Sequence, residues 1–389
     1  MGQQRRRPLW LGSLFAIGLA APLAWLFLSR PSSPLRLLWR RPDAVRGDFT
    51  FSQDGQWLGY RTFDEFVVRR TKDGREVWRR KLPSFPVCAP LPSKDLVAVY
   101  DGKRKFLEFW RLQDGKTVKG LPLTVQDEVL EIHPSPDGRW LLVEGLGKVF
   151  LHRTDDAQLI RHWSAQSWGW DFKTRGLLTF VPDSQTIALI TLHRRQWQVQ
   201  WRRLSDGVLL AKWQFPFFPA SLAFSPDGRF LAIGGYELLP PQHPPRWWDW
   251  VLPAPIRSHL VVLRMPEGQP IFRARLNGVS HLLRFSPDGR WLVAVGERLR
   301  LWRVKGWKRV IDQTFWHWLW IDLTAKPPIA VLGKFLNAPT FSPDGQLLVV
   351  GMVGGIAINL GFYRRPPKRW VLLFRLIDGE RQAGMGVSK

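Results

Sequence analysis

Cysteine is nearly absent. Cys88 is the single copy in 389 residues, which excludes an intramolecular disulfide and leaves the redox compartment unmarked. Acidic residues are scarce too: Asp and Glu number 32 against 57 Lys and Arg, a formal charge of +25, so the chain attracts polyanions and repels basic partners. Enzyme signatures are missing, with no G-x-S-x-G elbow, H-E-x-x-H pair, phosphate loop, dinucleotide fingerprint or calcium loop. No zinc spacing or nucleic-acid module accompanies the charge, which sets nucleic acid aside as a partner. On these grounds no catalytic residue, metal ligand or cofactor is expected. The eight histidines, His133, His193, His281 and His317 among them, are dispersed, and a lone histidine in a strand reads as a packed or surface residue.

What the chain has is repetition. FSPDGRFLAIGG at Phe224, FSPDGRWLVAVG at Phe285 and FSPDGQLLVVG at Phe341 are near copies, with looser ones at Phe51, Pro134 and Phe180 and a worn one at Leu91. Alternating apolar residues around a Ser-Pro-Asp-Gly corner describe a β-hairpin: Pro presets φ, Asp bonds the backbone beyond it, and Gly accepts φ > 0. A second turn follows in each repeat, as at Asp73-Gly74, Asp114-Gly115, Asp206-Gly207 and Asp378-Gly379, and leaves room for four antiparallel strands per unit. Seven such units without helical periodicity predict an all-β, seven-bladed propeller over residues 35–389, built of four-stranded blades. The last blade lacks an outer strand of its own, and LRLLWRR at Leu35–Arg41 is expected to supply it and close the ring.

The hairpin phrase, followed by a strand ending in Trp and then a Gly turn, resembles the WD-repeat family, and its SPDG corner resembles the Tol-type periplasmic propellers. The Gly-His pair of a standard WD repeat is missing, and Trp110, Trp201 and Trp302 are followed by Arg111, Arg202 and Arg303 where that family has Asp. The resemblance implies the propeller. Its usual hydrogen-bonded tetrad cannot form here, and propellers host unrelated functions, so no function transfers.

Ahead of the propeller, the basic flank 1–7 precedes residues 8–28, which carry no charge and suffice as a transmembrane helix, with a polar linker at 29–34. The apolar stretch continues past a small-x-small site at Gly18-Leu19-Ala20, which favours an uncleaved signal anchor over a removed signal peptide. An N-terminal basic cluster before one apolar segment favours a propeller on the extracytoplasmic side, although Arg30, Arg36, Arg40 and Arg41 pull the other way. A monomeric, membrane-anchored ring is expected. Arg69, Arg70, Arg79 and Arg80 read as outward-facing residues that solvate a blade.

The repeats also break their period. From first to second turn, ordinary blades take 17 to 23 residues, but Asp227 to Glu267 spans 40 and Asp344 to Asp378 spans 34, while 39 separate Lys305 from Asp344. These insertions in blades five, six and seven fall in loops that leave one end of the ring. They carry Arg246, Trp247, Trp248 and Trp250, then Trp316, His317, Trp318 and Trp320, then Tyr363, Arg364, Arg365 and Trp370. Rigid aromatics beside arginines supply contact area at low entropic cost. They are expected to bind a protein, peptide or acidic glycan, unless these tryptophans instead pin the loops as a satellite core. The alternative class is a propeller enzyme acting on a polyanionic or carbohydrate substrate in the central channel, with Glu131, Asp171 and Glu297 as channel residues. Its mark would be two or more carboxylates or histidines converging there.

Overall fold

Strands buried along their whole length, as Trp291–Gly296 is, require each sheet to be covered on both faces, and a ring of radially packed sheets does this with no helices. The computed structural model describes residues 35–376 except 44, 46–48, 124, 126–127, 146–147, 165–177, 194–195, 239–255, 278–279, 297, 315–319, 323–328 and 360–368. The span expected at 8–28 lies outside the described residues. Among the described residues no helix is long and apolar enough to cross a membrane.

The chain opens with β1 (Leu35–Arg41). Blade one follows as β2 (Phe49–Phe51), β3 (Trp57–Arg61), β4 (Glu65–Arg70) and β5 (Glu76–Lys81), and blade two as β6 (Pro86–Leu91), β7 (Leu96–Asp101), β8 (Phe106–Arg111) and β9 (Thr117–Pro122). Blade three is β10 (Glu131–Pro134), β11 (Trp140–Glu144), β12 (Lys148–Arg153) and β13 (Leu159–Ser164); blade four is β14 (Leu178–Phe180), β15 (Thr186–His193), β16 (Gln196–Arg203) and β17 (Leu209–Phe215). Blade five comprises β18 (Phe218–Phe224), β19 (Phe230–Leu238), β20 (Ile256–Arg264) and β21 (Gln269–Asn277), and blade six β22 (Ser280–Phe285), β23 (Trp291–Gly296), β24 (Arg298–Arg303) and β25 (Lys308–Thr314). Blade seven uses β26 (Trp320–Asp322), β27 (Ile329–Phe341), β28 (Leu347–Asn359) and β29 (Arg369–Leu376). Six sheets are four-stranded in chain order, and the seventh runs β1-β29-β28-β27-β26. The expected clasp therefore forms: β1 pairs antiparallel with β29 from Leu35↔Leu376 to Arg41↔Val371.

Seven hydrophobic clusters fill the seven joints between neighbouring blades. Period-two alternation divides each blade between two of them: on β23, Leu292 and Ala294 pack toward blade five, while Val293 and Val295 pack toward blade seven. The repeated corner earns its serine by burial. The hydroxyls of Ser52, Ser135, Ser225, Ser286 and Ser342 each donate to the Asp two residues on at 2.5 to 2.6 Å. Each also accepts the N–H five residues on, as Ser225 does from Phe230 at 2.9 Å.

Neighbouring blades also interlock at their outer edges. Trp39 of β1 donates from Nε1 to Thr71 O at 2.8 Å and lies against Gly74, where a Cβ would meet its ring at 2.8 Å. Arg41 beside it donates to Gly74 O at 3.1 Å and Asp73 O at 2.8 Å. Blade one repeats the grip on blade two through Trp78 Nε1 to Leu112 O at 2.8 Å and Arg80 to Gly115 O at 3.0 Å. Trp163 seats on Gly207 and Trp213 on Gly268, and Arg161 reaches Asp206 O at 2.7 Å.

This corrects the outward reading for Arg69 and in part for Arg80, while Arg70 and Arg79 are exposed as expected. Arg69 is 8% exposed and donates to Asp43 Oδ2 at 2.6 Å, to the Tyr60 hydroxyl at 2.6 Å and to Gly74 O at 3.0 Å. Burial pushes the Tyr60 phenol up, and Asp43 beside it adds to the rise. Burial alone would lower Arg69, yet Tyr60 and Asp43 raise it, so it stays a cation. Arg80 stacks its guanidinium 3.8 Å from the Trp110 ring centre and donates to Glu108, and Arg79 pairs with Glu65 and Glu76. Of the four, Arg70 best fits the outward reading, its one ion-pair partner among the described residues being Asp73 at 3.5 Å.

Two outcomes follow. Trp39→Ala should cost about 3 kcal/mol in chemical denaturation, because it removes a large side chain from the ring-closing joint, and Trp39→Phe should restore the packing part. The turn aspartates set an acid limit. Backbone N–H bonds hold Asp73, Asp156 and Asp206 below the ordinary carboxylate range. Burial pushes Asp137, Asp227 and Asp288 up, but serine, backbone and arginine donors outweigh it and lower them. A depressed folded value stabilises above the unfolded value of about 4 and is lost as pH falls through the folded one. Melting temperature should hold from pH 7 to 5 and fall steadily below about pH 4; a flat profile down to pH 2 would contradict this.

Candidate functional site

Antiparallel order fixes which connections share an end of the ring. The serine corners and the Asp-Gly turns leave one end, so the loops joining second to third strands, and each outer strand to the next blade, leave the other. The end of β19 and the start of β20, the end of β25, and the end of β28 and the start of β29 lie at that opposite rim. The blade-six insertion follows its outer strand β25.

Part of this rim is a β-arm. Strands β27 and β28 pair over 13 residues each, from Ile329↔Asn359 to Phe341↔Leu348, whereas β29 covers β28 only from Leu347 to Val353. Gly354–Asn359 thus run past the blade by roughly 20 Å at the rise of an extended strand. The short β26 pairs with the start of β27, Trp320↔Val331 to Asp322↔Ile329, and makes the arm three-stranded. Blade seven was expected to have four strands and has five, because the insertion after blade six returns as an inner strand.

Of the residues expected to bind, Trp320 opens β26 and Trp370 lies on β29. Arg246, Trp247, Trp248, Trp250, Trp316, His317, Trp318, Tyr363, Arg364 and Arg365 lie outside the described residues, as do Asp171 and Glu297. Trp370 pairs with Met352, is half-buried against the joint between blades six and seven, and has the Arg40 guanidinium 5.2 Å from its ring centre.

A second constellation stands on blade three. Glu131 and His133 alternate on β10, and the register sets them opposite Glu144 and Leu142 of β11. Leu142 packs into the joint with blade four, while Ile132 faces blade two, so all three polar side chains share the blade-four face. His133 Nε2 is 3.7 Å from Glu144 Oε2 and 3.9 Å from Glu131 Oε2, and one ligand atom from each residue falls within 4.8 Å of the others. Glu144 is 4% exposed, and its Oε2 accepts no hydrogen bond. Sequence reading named Glu131 and His133 separately; the missed signal was their i, i+2 spacing and the hairpin that returns Glu144 opposite Glu131. Cys88 offers neither nucleophile nor soft ligand, because burial pushes its thiol up to about 12 and keeps it protonated at neutral pH.

Trp370→Ala should lower stability by about 2 kcal/mol in urea melts, since the side chain contributes to a blade joint. An unchanged melt would show that the ring is free to serve contact alone.

In fold, the chain is similar to a solved structure of Kuenenia stuttgartiensis hydrazine synthase, at a TM-score of 0.56 and 15% identity, covering 79% of this chain and 92% of that one. At that identity the likeness shows the fold alone. No family model matches the chain, and no curated protein matches it.

Proposed function

We propose that this chain is a membrane-anchored, non-catalytic propeller that binds an acidic partner, a protein or peptide segment or an acidic glycan, through the rim built by blades five, six and seven. Residues 8–28 are the anchor and the ring stands on the extracytoplasmic side. The observation that carries the reading is the β-arm: strands β26, β27 and β28 break an otherwise regular ring at the rim where β19 and β20, the strands that flank the blade-five insertion, also meet. Departures from a repeat are where propellers vary their contacts, and loops on a rigid scaffold carry function more often than the scaffold does. Tryptophans beside arginines on those segments, in a chain of charge +25, suit a partially apolar, negatively charged surface. The WD-repeat and Tol-type resemblance contributes the ring and nothing about the ligand.

The test uses full-length protein in detergent against an immobilised acidic glycan, an acidic peptide, and neutral counterparts of equal length. Wild type should retain the acidic probes with salt-sensitive affinity. Trp247→Ala/Trp248→Ala/Trp250→Ala should weaken retention at least ~10-fold with a melting temperature within about 2 °C of wild type. Equal retention of the variant, or collapse of its melt, would remove the proposed rim. A phosphatase reporter fused after Lys389 that is inactive in cells would remove the assigned sidedness.

A further inference from the structure

The rim reading leaves blade three unused, yet that blade holds an unusual electrostatic arrangement. Glu131 and Glu144 are directly opposed on adjacent strands, and like charges in that relation repel. One of them is also nearly removed from water: Glu144 is 4% exposed, with Oε2 aimed at His133 Nε2 3.7 Å away and accepting no hydrogen bond. An ionised carboxylate buried in this way is costly unless a cation compensates it. Elsewhere in the ring that cation is arginine: Arg80 for Glu108, Arg257 for Glu237, Arg298 for Asp312 and Arg69 for Asp43. At Glu144 an imidazole stands in that place.

We propose that Glu131, His133 and Glu144 form a binding site for one divalent transition-metal ion. The donor set chooses the class. One imidazole and two carboxylates suit a borderline ion such as Zn²⁺, with the carboxylates also serving the harder Mn²⁺, whereas Mg²⁺ and Ca²⁺ favour all-oxygen shells and Cu⁺ favours sulfur. Spacing agrees. Ligands about 2.1 Å from a tetrahedral ion stand roughly 3.4 Å from one another, so the contacts at 3.7 and 3.9 Å need only a few tenths of an ångström of closure. Those same separations are too long for hydrogen bonds. An ion there relieves the Glu–Glu repulsion and ties the start of β10 to the end of β11. With three protein ligands it keeps an open position for water, reachable because the Glu131 and His133 side chains are 25% and 19% exposed.

The experiment takes the full-length chain in detergent, without a polyhistidine tag, stripped with chelator and titrated separately with Zn²⁺, Mn²⁺ and Mg²⁺ by calorimetry alongside thermal melts. Wild type should bind one Zn²⁺ or Mn²⁺ per chain, favour it over Mg²⁺, and melt higher when loaded. Changing groups that only support a metal ligand already costs 10- to 100-fold, so Glu144→Gln should weaken binding at least ~100-fold. Without metal that variant should melt no lower than wild type, since it loses a buried repelling charge, and His259→Ala on blade five should bind normally. Glu131→Gln, at a partly exposed strand start, gives the same reading if Glu144→Gln fails to fold. Absence of stoichiometric binding in wild type, or binding that survives Glu144→Gln or Glu131→Gln, would overturn the site.

Discussion

The grip of an outer strand on the next blade's turn, made by β1, β5, β13 and β17 among the described residues, is the interaction on which the ring depends. A blade is a twisted sheet whose inner three strands are covered on both faces, but whose outer strand is a bare edge, as the mostly exposed β5 and β9 illustrate. Such edges recruit other chains unless they are occupied or charged. Here tryptophan and arginine occupy them. The tryptophan needs a flat seat, which Gly74 and Gly268 provide because their positive φ and missing side chain let an indole lie against backbone. The arginine needs carbonyls, which the turn presents outward once the Asp side chain has bonded the following N–H.

That arrangement also accounts for part of the excess of basic residues. Arg41 and Arg161 spend their charge on neighbouring carbonyls, and Arg80 divides its own between Gly115 O and Glu108, so the arginine count can exceed the acid count without leaving those cations unbonded. Arg69 goes further and is buried with Asp43 and Tyr60 between the N-terminal strand and blade one. Removing either charged partner from such a buried pair would strand the other, so this group also keeps the closing segment in register.

The repeat, the seven blades and the clasp were legible because each rests on local chemistry. Ser-Pro-Asp-Gly between apolar runs specifies one turn, and seven turns specify a count. LRLLWRR could be assigned as the closing strand because only it had the alternation β29 lacked as a partner. Long-range pairing was not legible. IAVLGKFLNAPTF precedes the corner phrase at Phe341 and contains Gly, Asn and Pro, yet it pairs along its length because β28 extends beside it and β26 covers its start. Arg69 was misread because its neighbours Arg70 and Lys72 suggest an outward stretch, and nothing local announces Asp43, 26 residues away. Glu131 was legible as an inner-strand carboxylate. Its pairing with Glu144 was not, since that partner lies on the next strand and is brought opposite only by the register across the corner.

The two ends of the ring are unequal for a physical reason. At the corner end, nearly every turn is locked: buried serines, aspartates bonded to backbone N–H groups, glycines at positive φ, and the Trp and Arg grip from the preceding blade. An insertion there would break several bonds at once. At the opposite end, among the described residues, the loops from second to third strand and from blade to blade carry no such recurring device, so length and composition can change while the seven joints stay packed. The strand ends that flank the three insertions lie at that end, and the one close pairing of carboxylates across adjacent inner strands among the described residues, Glu131 with Glu144, stands at the same end of blade three. Both features occur where the fold tolerates them, which makes the unlocked rim, rather than the repeated phrase that reveals the fold, the part of this molecule able to acquire chemistry.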